Sequence, residues 1–403
     1  MTAPVTVPDD RILIAGAGLG GLTAALALIR RGFRVTVLEQ APALGEVGAG
    51  VQIGANGMCV LDHLGLRPAL EPLAWQPEGK RIYHYRTGES WPLYDLGADS
   101  VERYGFPYCM FHRADLHAVL ADAVSAAQPD AIRLNAALAG AEQDGSRAIA
   151  ILDGGERVSG AALIGADGIH SSVRRALFGP DDPRFTGIVA WRGVVPAAGL
   201  PPQLLEPNSA IWIGPGGHCV HYRLRNGALM NFVGAVERSD WQVESWNVPG
   251  SVAECLRDFD GWNDALRSLI RAIPAPYKWA LHVREPMDAW SKGRITLLGD
   301  ACHATLPFLA QGANHAIEDG LVLARALEAF GDVETALKRY EAARLERTAR
   351  MVRGSAANAA RFHNPKLADP AETARIARAE FDQAAVAERH DWLFEYNALT
   401  AAI

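Results

Sequence analysis

The sequence lacks most of the features that would take it out of the ordinary globular class. Its five cysteines, Cys59, Cys109, Cys219, Cys255 and Cys302, are odd in number and scattered, with no Cys-x-x-Cys pair. That argues against a disulfide framework and reads as reduced thiols of a cytoplasmic protein. There is no excess of basic residues: the formal net charge is −7, which leaves no electrostatic footprint for nucleic acid. No internal repeat and no low-complexity stretch occurs. Adjacent Cys302 and His303 have no partner pair at ligand spacing, and adjacent side chains point apart, so no metal site is expected. Residues 12–29 carry no charge, but glycine and alanine crowd the middle of this run. Asp9 and Asp10 precede it rather than Lys and Arg, so it is not read as a membrane span or a signal core.

What is present is a soluble enzyme's composition. Hydrophobic residues make up 49% and charged residues 21% of 403 residues, enough to bury a large core in two domains without staples. Residues 11–15 read as an apolar strand, 16–21 as a turn, 22–31 as an Ala/Leu-rich helix stopped at Gly32, and 34–38 as a second strand ending at Glu39. Glycine recurs at Gly45, Gly48, Gly50, Gly54 and Gly57 around Val51 and Ile53, a density that suits backbone running close to a ligand. Between about 180 and 285 the chain turns to Trp, Pro and short β-like runs (188–195, 210–213, 219–224, 229–236), which predicts an antiparallel sheet. Residues 294–299 read as a buried strand, 312–327 as an amphipathic helix and 333–362 as a long helix.

Chemistry enters at the turn Gly16-Ala17-Gly18-Leu19-Gly20-Gly21. The first glycine permits a tight turn, the second lets a pyrophosphate approach the backbone, and the third allows close helix packing at a helix N-terminus that favours anions. Glu39, roughly 20 residues on and next to Gln40, can accept both ribose hydroxyls. Asp167-Gly168, in Gly165-Ala166-Asp167-Gly168, and Gly299-Asp300 each follow an apolar run, where an α/β sheet gathers its ligands. Arg113 stands at a helix start.

The ordered set GAGLGG…E, HRADL, GADG and GDACHATLPFLAQGANHAIED resembles the single-component flavoprotein aromatic hydroxylases. That group includes salicylate hydroxylase, 3-hydroxybenzoate 6-hydroxylase and 6-hydroxynicotinate 3-monooxygenase. The resemblance runs from about residue 11 to the C-terminal DWLFEYNALT. It implies tightly bound, non-covalent FAD, with Glu39 on the adenosine ribose, Arg113 and Asp300 on the ribitol side and Asp167-Gly168 serving FAD and reduced nicotinamide. The helix beginning near Gly312-Ala313 would aim its N-terminus at the flavin edge that gains negative charge on reduction. It also implies NADH or NADPH as a transient co-substrate, O2 captured as a flavin C4a-hydroperoxide, and hydroxylation of a ring activated by its own hydroxyl group.

His218 and Tyr222 are spaced for one face of a strand, and by the resemblance they contact substrate. His303, before Pro307 in the loop that the family sets beside the flavin, is expected at the pocket as a third catalytic candidate. Gln52 is expected to line that pocket with Pro307. Gln52 stands where the hydroxynicotinate enzyme has histidine, which turns the expectation toward salicylate or 3-hydroxybenzoate, with an N-heteroaromatic acid such as 6-hydroxynicotinate as the alternative. A reading from another class is a non-hydroxylating flavin oxidoreductase or a flavin-binding redox sensor. The Trp-x-Trp-x-Ile-Pro signature of halogenases of this fold is absent.

The expected fold is α/β: a Rossmann-like FAD-binding domain with an inserted, mainly antiparallel β substrate domain and a C-terminal helical segment. The boundaries are 1–75, 105–180 and 285–332 for the first, 76–104 and 181–284 for the second, and 333–403 for the third. The expected partners are a small aromatic acid and O2, with no nucleic acid and no membrane, in a cytoplasmic monomer or homodimer.

Overall fold

Strand Ile12–Ala15 is buried at all four residues, which is why it reads as a continuous apolar run and not an alternating one: a parallel strand is covered on both faces. In the computed structural model, which describes residues 10–45, 49–181, 183–206, 209–241 and 248–403, it is the centre of a five-stranded parallel sheet. The order is Ile295–Leu297, Ala162–Gly165, Ile12–Ala15, Val35–Leu38, Ile132–Arg133. Gly48 of the second glycine cluster lies outside the described residues, as do 1–9 and 242–247 of the expected domains. The charge-free run is therefore strand, turn and helix Leu19–Ile29. Among the described residues no helix is long and apolar enough to cross a membrane.

The helix starts at Leu19 and not at residue 22 as expected, because Gly20 and Gly21 are packing residues inside its first turn. A Cβ on Gly21 would sit 2.1 Å from the Gly16 carbonyl oxygen, and one on Gly20 would strike Leu298 and Ala316.

The second sheet has eight strands, in the order Val248–Pro249, Tyr277–Val283, Arg184–Pro196, Leu229–Glu237, Gly217–Leu224, Ser209–Gly214, Gly79–His84, Ser90–Asp95. All neighbours are antiparallel except Ser209–Gly214 with Gly79–His84. One face carries Trp191, Trp212, Cys219 and Phe232, packed under helices Val252–Asp258 and Asp264–Ala272, which the strand-rich composition had concealed. The other face carries Ile82, Ile211, Ile213 and Ala235 against Leu306, Phe308 and Phe362.

Helix Val333–Phe362 opens with Asp332 accepting the Thr335 N–H, a side-chain N-cap. Its first turns bury Ala336, Leu337 and Tyr340 in the core of the parallel sheet, and its last residue, Phe362, packs on the eight-stranded sheet. Farther on, Leu393 and Phe394 close over Tyr108 and Tyr222. The C-terminal helices thus tie the two sheets together.

Candidate active site

The glycine turn leaves a cradle. Gly16 has φ +98°, and a Cβ there would lie 2.5 Å from the Ala166 carbonyl oxygen; only glycine fits. At Gly18 a Cβ would meet no described heavy atom within 4 Å. Gly18 caps the helix without a side chain, so the first-turn N–H groups are available to an anion. Glu39 is wired into this turn: Oε2 accepts the Ala17 N–H at 2.7 Å and Oε1 the Ala41 N–H at 2.9 Å, leaving each oxygen a further lone pair for a ribose hydroxyl. Gln40 is exposed beside it. His117, whose ring nitrogen is 2.7 Å from the Ala17 carbonyl, braces the turn from helix Arg113–Ala127. Leu19 is core, so only its backbone faces the cradle.

Asp167 lies beside Gly16 at the end of strand Ala162–Gly165, but its carboxylate is occupied. It accepts the Ser171 hydroxyl and the N–H groups of Ser172 and Val173, a cap on helix Ser172–Phe178. Gly168 follows with φ +76° and open space at its Cβ position. Arg113 is the first residue of its helix, and its N–H bonds Ala49.

At the far end, Asp300 begins a short helix after Gly299 (φ +64°). A Cβ on Gly312 would lie 3.9 Å from the Asp300 carboxylate, so Asp300, Gly312 and Ala313 form one cluster. That carboxylate accepts no hydrogen bond among the described residues. Helix Gly312–Ala329 has no side-chain cap. Asn314 pins strand Gly50–Ile53 to it, donating to the Gln52 carbonyl at 3.0 Å and accepting the Gly54 N–H at 2.8 Å, which holds Val51 and Gln52 beside the helix N-terminus. An open pyrophosphate cradle, a braced ribose acceptor, a free carboxylate and an uncapped helix match FAD along its length.

Opposite this strand stands the eight-stranded sheet. A Cβ on Gly50 would fall 2.6 Å from the Tyr222 hydroxyl and 2.8 Å from Asn231, and the Gly50 N–H bonds Asn231 Oδ1 at 2.9 Å. Here the structure adds a residue that the sequence reading missed. Lys80 is buried and donates to Gln52 Oε1 at 3.0 Å and the Tyr108 hydroxyl at 3.4 Å. Tyr108 itself donates to Gln52 at 2.8 Å. The ammonium lies 5.1 Å from the Tyr108 ring centre and 5.7 Å from that of Tyr94. Burial pulls Lys80 down to about 8, and among the described residues no carboxylate pairs with it. The available signal was alternation: Lys80, Ile82 and His84 share a buried face. Burial pushes the Tyr222 phenol upward, with a hydrogen bond to Gln52 acting against it.

His218 is on the same strand face as Tyr222, with its ring edge-on to Phe308 at 4.7 Å. Its Nδ1 is 2.7 Å from His363 Nε2, and His363 Nδ1 is 3.1 Å from Glu237. Pro307 is exposed, and Phe308 makes the contact to His218.

His303 is tied into an interior network. Its Nε2 is 2.6 Å from Asp319 Oδ2 and its ring leans on Trp290. Arg344 bonds Asp319 at 2.7 Å and Glu318 at 2.6 Å, Arg347 bonds Glu318 at 2.8 Å, and Asn56 donates to Glu318 at 2.6 Å. Burial acts to raise Asp319, but His303 and Arg344 hold it down at about 2. Nε2 of His303 is committed to this interior network, which joins helices Gly312–Ala329 and Val333–Phe362, while its Nδ1 is buried without a hydrogen-bond partner among the described residues. Among the described residues no cluster could hold a metal.

The fold and its open donors and acceptors define a flavin-dinucleotide protein. A family model described as an FAD binding domain matches residues 9–355, and the chain belongs to that family. It is 38% identical over 395 residues to 3-amino-4-hydroxybenzoate 2-monooxygenase PtnB3 of Streptomyces platensis, covering 98% of each chain. It is 39% identical over 342 residues to 3-hydroxybenzoate 6-hydroxylase 1 of Aquipseudomonas alcaligenes, covering 85% of this chain and 86% of that one. Among solved structures it is similar to Klebsiella pneumoniae HpxO complexed with FAD and uric acid, with TM-score 0.81, 26% identity and 97% of both chains covered. The protein is an FAD-dependent monooxygenase.

Proposed function

We propose that the protein uses NADH or NADPH and O2 to hydroxylate a small aromatic hydroxy acid of the hydroxybenzoate type. The observation that carries this reading is Lys80. An ammonium buried without a carboxylate is costly, and a substrate carboxylate bound between Lys80, Gln52 and Tyr108 would neutralise it. The relatives that act on 3-amino-4-hydroxybenzoate and 3-hydroxybenzoate support the same class.

FAD, when bound, supplies hydride acceptance and O2 activation. The chain's own residues do the rest. Gly16, Gly18, Gly21, Glu39, Arg113, Gly168, Asp300, Gly312 and Ala313 would hold the cofactor. Lys80 anchors the acid, and Tyr222 orients the ring. His218, whose ring burial and His363 both keep neutral, takes the proton of the ring hydroxyl and makes the ring a better nucleophile. Leu393 and Phe394, packed over Tyr108 and Tyr222, exclude water from the reaction.

The test is oxidation of NADH and NADPH with salicylate, 3-hydroxybenzoate, 3-amino-4-hydroxybenzoate and 6-hydroxynicotinate, scored by product mass. A hydroxybenzoate should accelerate oxidation and gain one oxygen atom. Acceleration by none of the four would overturn the proposal.

A further inference from the structure

We propose that Glu237, on the surface, sets the tautomer of His218 through His363, and that these three residues carry the substrate's proton to solvent. The inference rests on the reading of His218 as the base. Its support is a continuous chain: His218 Nδ1 to His363 Nε2 at 2.7 Å, then His363 Nδ1 to Glu237 Oε1 at 3.1 Å. The chain crosses from a 2% exposed His218 to a Glu237 side chain that is 57% exposed, while the His363 side chain between them is 1% exposed.

The order of protons follows from the acceptor at the outer end. A carboxylate only accepts, so His363 carries its proton on Nδ1. Its Nε2 is then a lone pair, and His218 Nδ1 must be the donor to it. That leaves the lone pair of His218 on Nε2, the form a base needs. Burial and mutual proximity hold His218 below the usual histidine range. Burial also lowers His363, against the opposing pull of Glu237.

Around His218 the described neighbours are Ile213 and Ala235 across the sheet, Phe308 from the turn Pro307–Leu309, and Phe362 and His363 at the end of the long helix. His363 is the titratable one among them, and Glu237 is the charged group beyond it.

The transfer balances without any redox change. The substrate O–H bond breaks, its electron pair stays on oxygen, and the proton bonds His218 Nε2. The Nδ1 proton of His218 passes to His363 Nε2. The Nδ1 proton of His363 passes to the Glu237 carboxylate, which releases it to water. One proton leaves to solvent, and both imidazoles end neutral in the opposite tautomer, with His218 Nε2–H now donating to the phenolate.

The experiment follows appearance of phenolate absorbance when the FAD-loaded protein binds 3-hydroxybenzoate in stopped flow, with Glu237→Gln and His363→Leu beside the parent. Glu237→Gln can still hydrogen-bond His363, as acceptor or donor, but cannot take a proton at neutral pH. Phenolate formation should slow there, and about 100-fold in His363→Leu, the lower end of the range of general base effects. Added imidazole buffer should raise the rate in Glu237→Gln in proportion to its concentration and leave the parent unchanged, a response that a merely structural role would not give. Because Glu237 is exposed, this variant should fold if His363→Leu does not. Parent-like, buffer-independent phenolate formation in Glu237→Gln would overturn the relay. Absence of phenolate in the parent while hydroxylation proceeds would also overturn it, without touching the hydroxylase reading.

Discussion

Lys80 Nζ lies 3.0 Å from Gln52 Oε1, a hydrogen bond that joins the eight-stranded sheet to the strand running beside helix Gly312–Ala329. It places a buried cation next to Tyr108 and Tyr94 with no carboxylate among the described residues paired with it. Lys80→Met should therefore raise KM for the substrate acid about 100-fold, the worth of a hydrogen bond to a charged group, and leave binding of the corresponding neutral carboxamide unchanged. Steady-state kinetics with the two compounds checks this.

The same lysine fixes a pH dependence. Its value in the folded state is lowered to about 8, so it is a cation below that pH and neutral above it, while the substrate carboxylate stays ionised throughout. Affinity for the acid should fall as pH rises through about 8. For stability the sign is reversed. The cost of the buried cation is full below the folded value and is relieved as pH climbs toward the unfolded lysine range. Lys80→Met should melt higher than the parent at pH 7, with the gain shrinking by about pH 10. Melting curves at the two pH values measure it.

Gly18→Val puts a branched side chain into the open cradle, and Glu39→Ala removes the acceptor from Ala17 and Ala41. Both variants should purify with less FAD than the parent. Flavin absorbance per protein is the readout, and stoichiometric yellow protein in both would contradict the assignment.

Asp319→Asn should destabilise the fold by about 3–5 kcal/mol, because it strips a carboxylate from buried Arg344 and His303. Asp319 is held at about 2, below its unfolded value near 4. The stability it contributes is present above pH 4 and lost as pH falls toward 2. Folded Asp319→Asn should keep a parent-like KM for the acid, since the network is structural. Denaturant melts with kinetics on the folded fraction separate the two effects.

The dinucleotide turn was legible because its parts are contiguous: strand, glycines, helix and acid fall within one βαβ unit. The long helix was legible because Asp332 caps it and nothing interrupts it. Alternation set Lys80 on one face with Ile82 and His84, but that this face is buried was not legible, because what buries it is the pairing of Gly79–His84 with Ser209–Gly214, far apart in the chain. His363 was missed for the same reason: its partners are on strands Gly217–Leu224 and Leu229–Glu237. The contact of His303 with Asp319 was not legible, because Asp319 lies 16 residues on, inside helix Gly312–Ala329. Asp167 was placed correctly at a strand end, but the Ser171-Ser172 pair that follows was the signal that its carboxylate caps a helix.

His218→Ala and Tyr222→Phe should both retain FAD and lower the fraction of NADH converted to hydroxylated product. Unchanged coupling in both would remove His218 and Tyr222 from the reaction.

The most direct measurement of the central claim compares the parent and Lys80→Met for NADH oxidation stimulated by 3-hydroxybenzoate and 3-amino-4-hydroxybenzoate, with product mass recorded. The account predicts that the parent is stimulated by at least one of these acids and adds a single oxygen atom to it, and that the stimulation is lost in Lys80→Met at the same acid concentration. A parent that responds to neither, or a Lys80→Met enzyme that responds as the parent does, would contradict it.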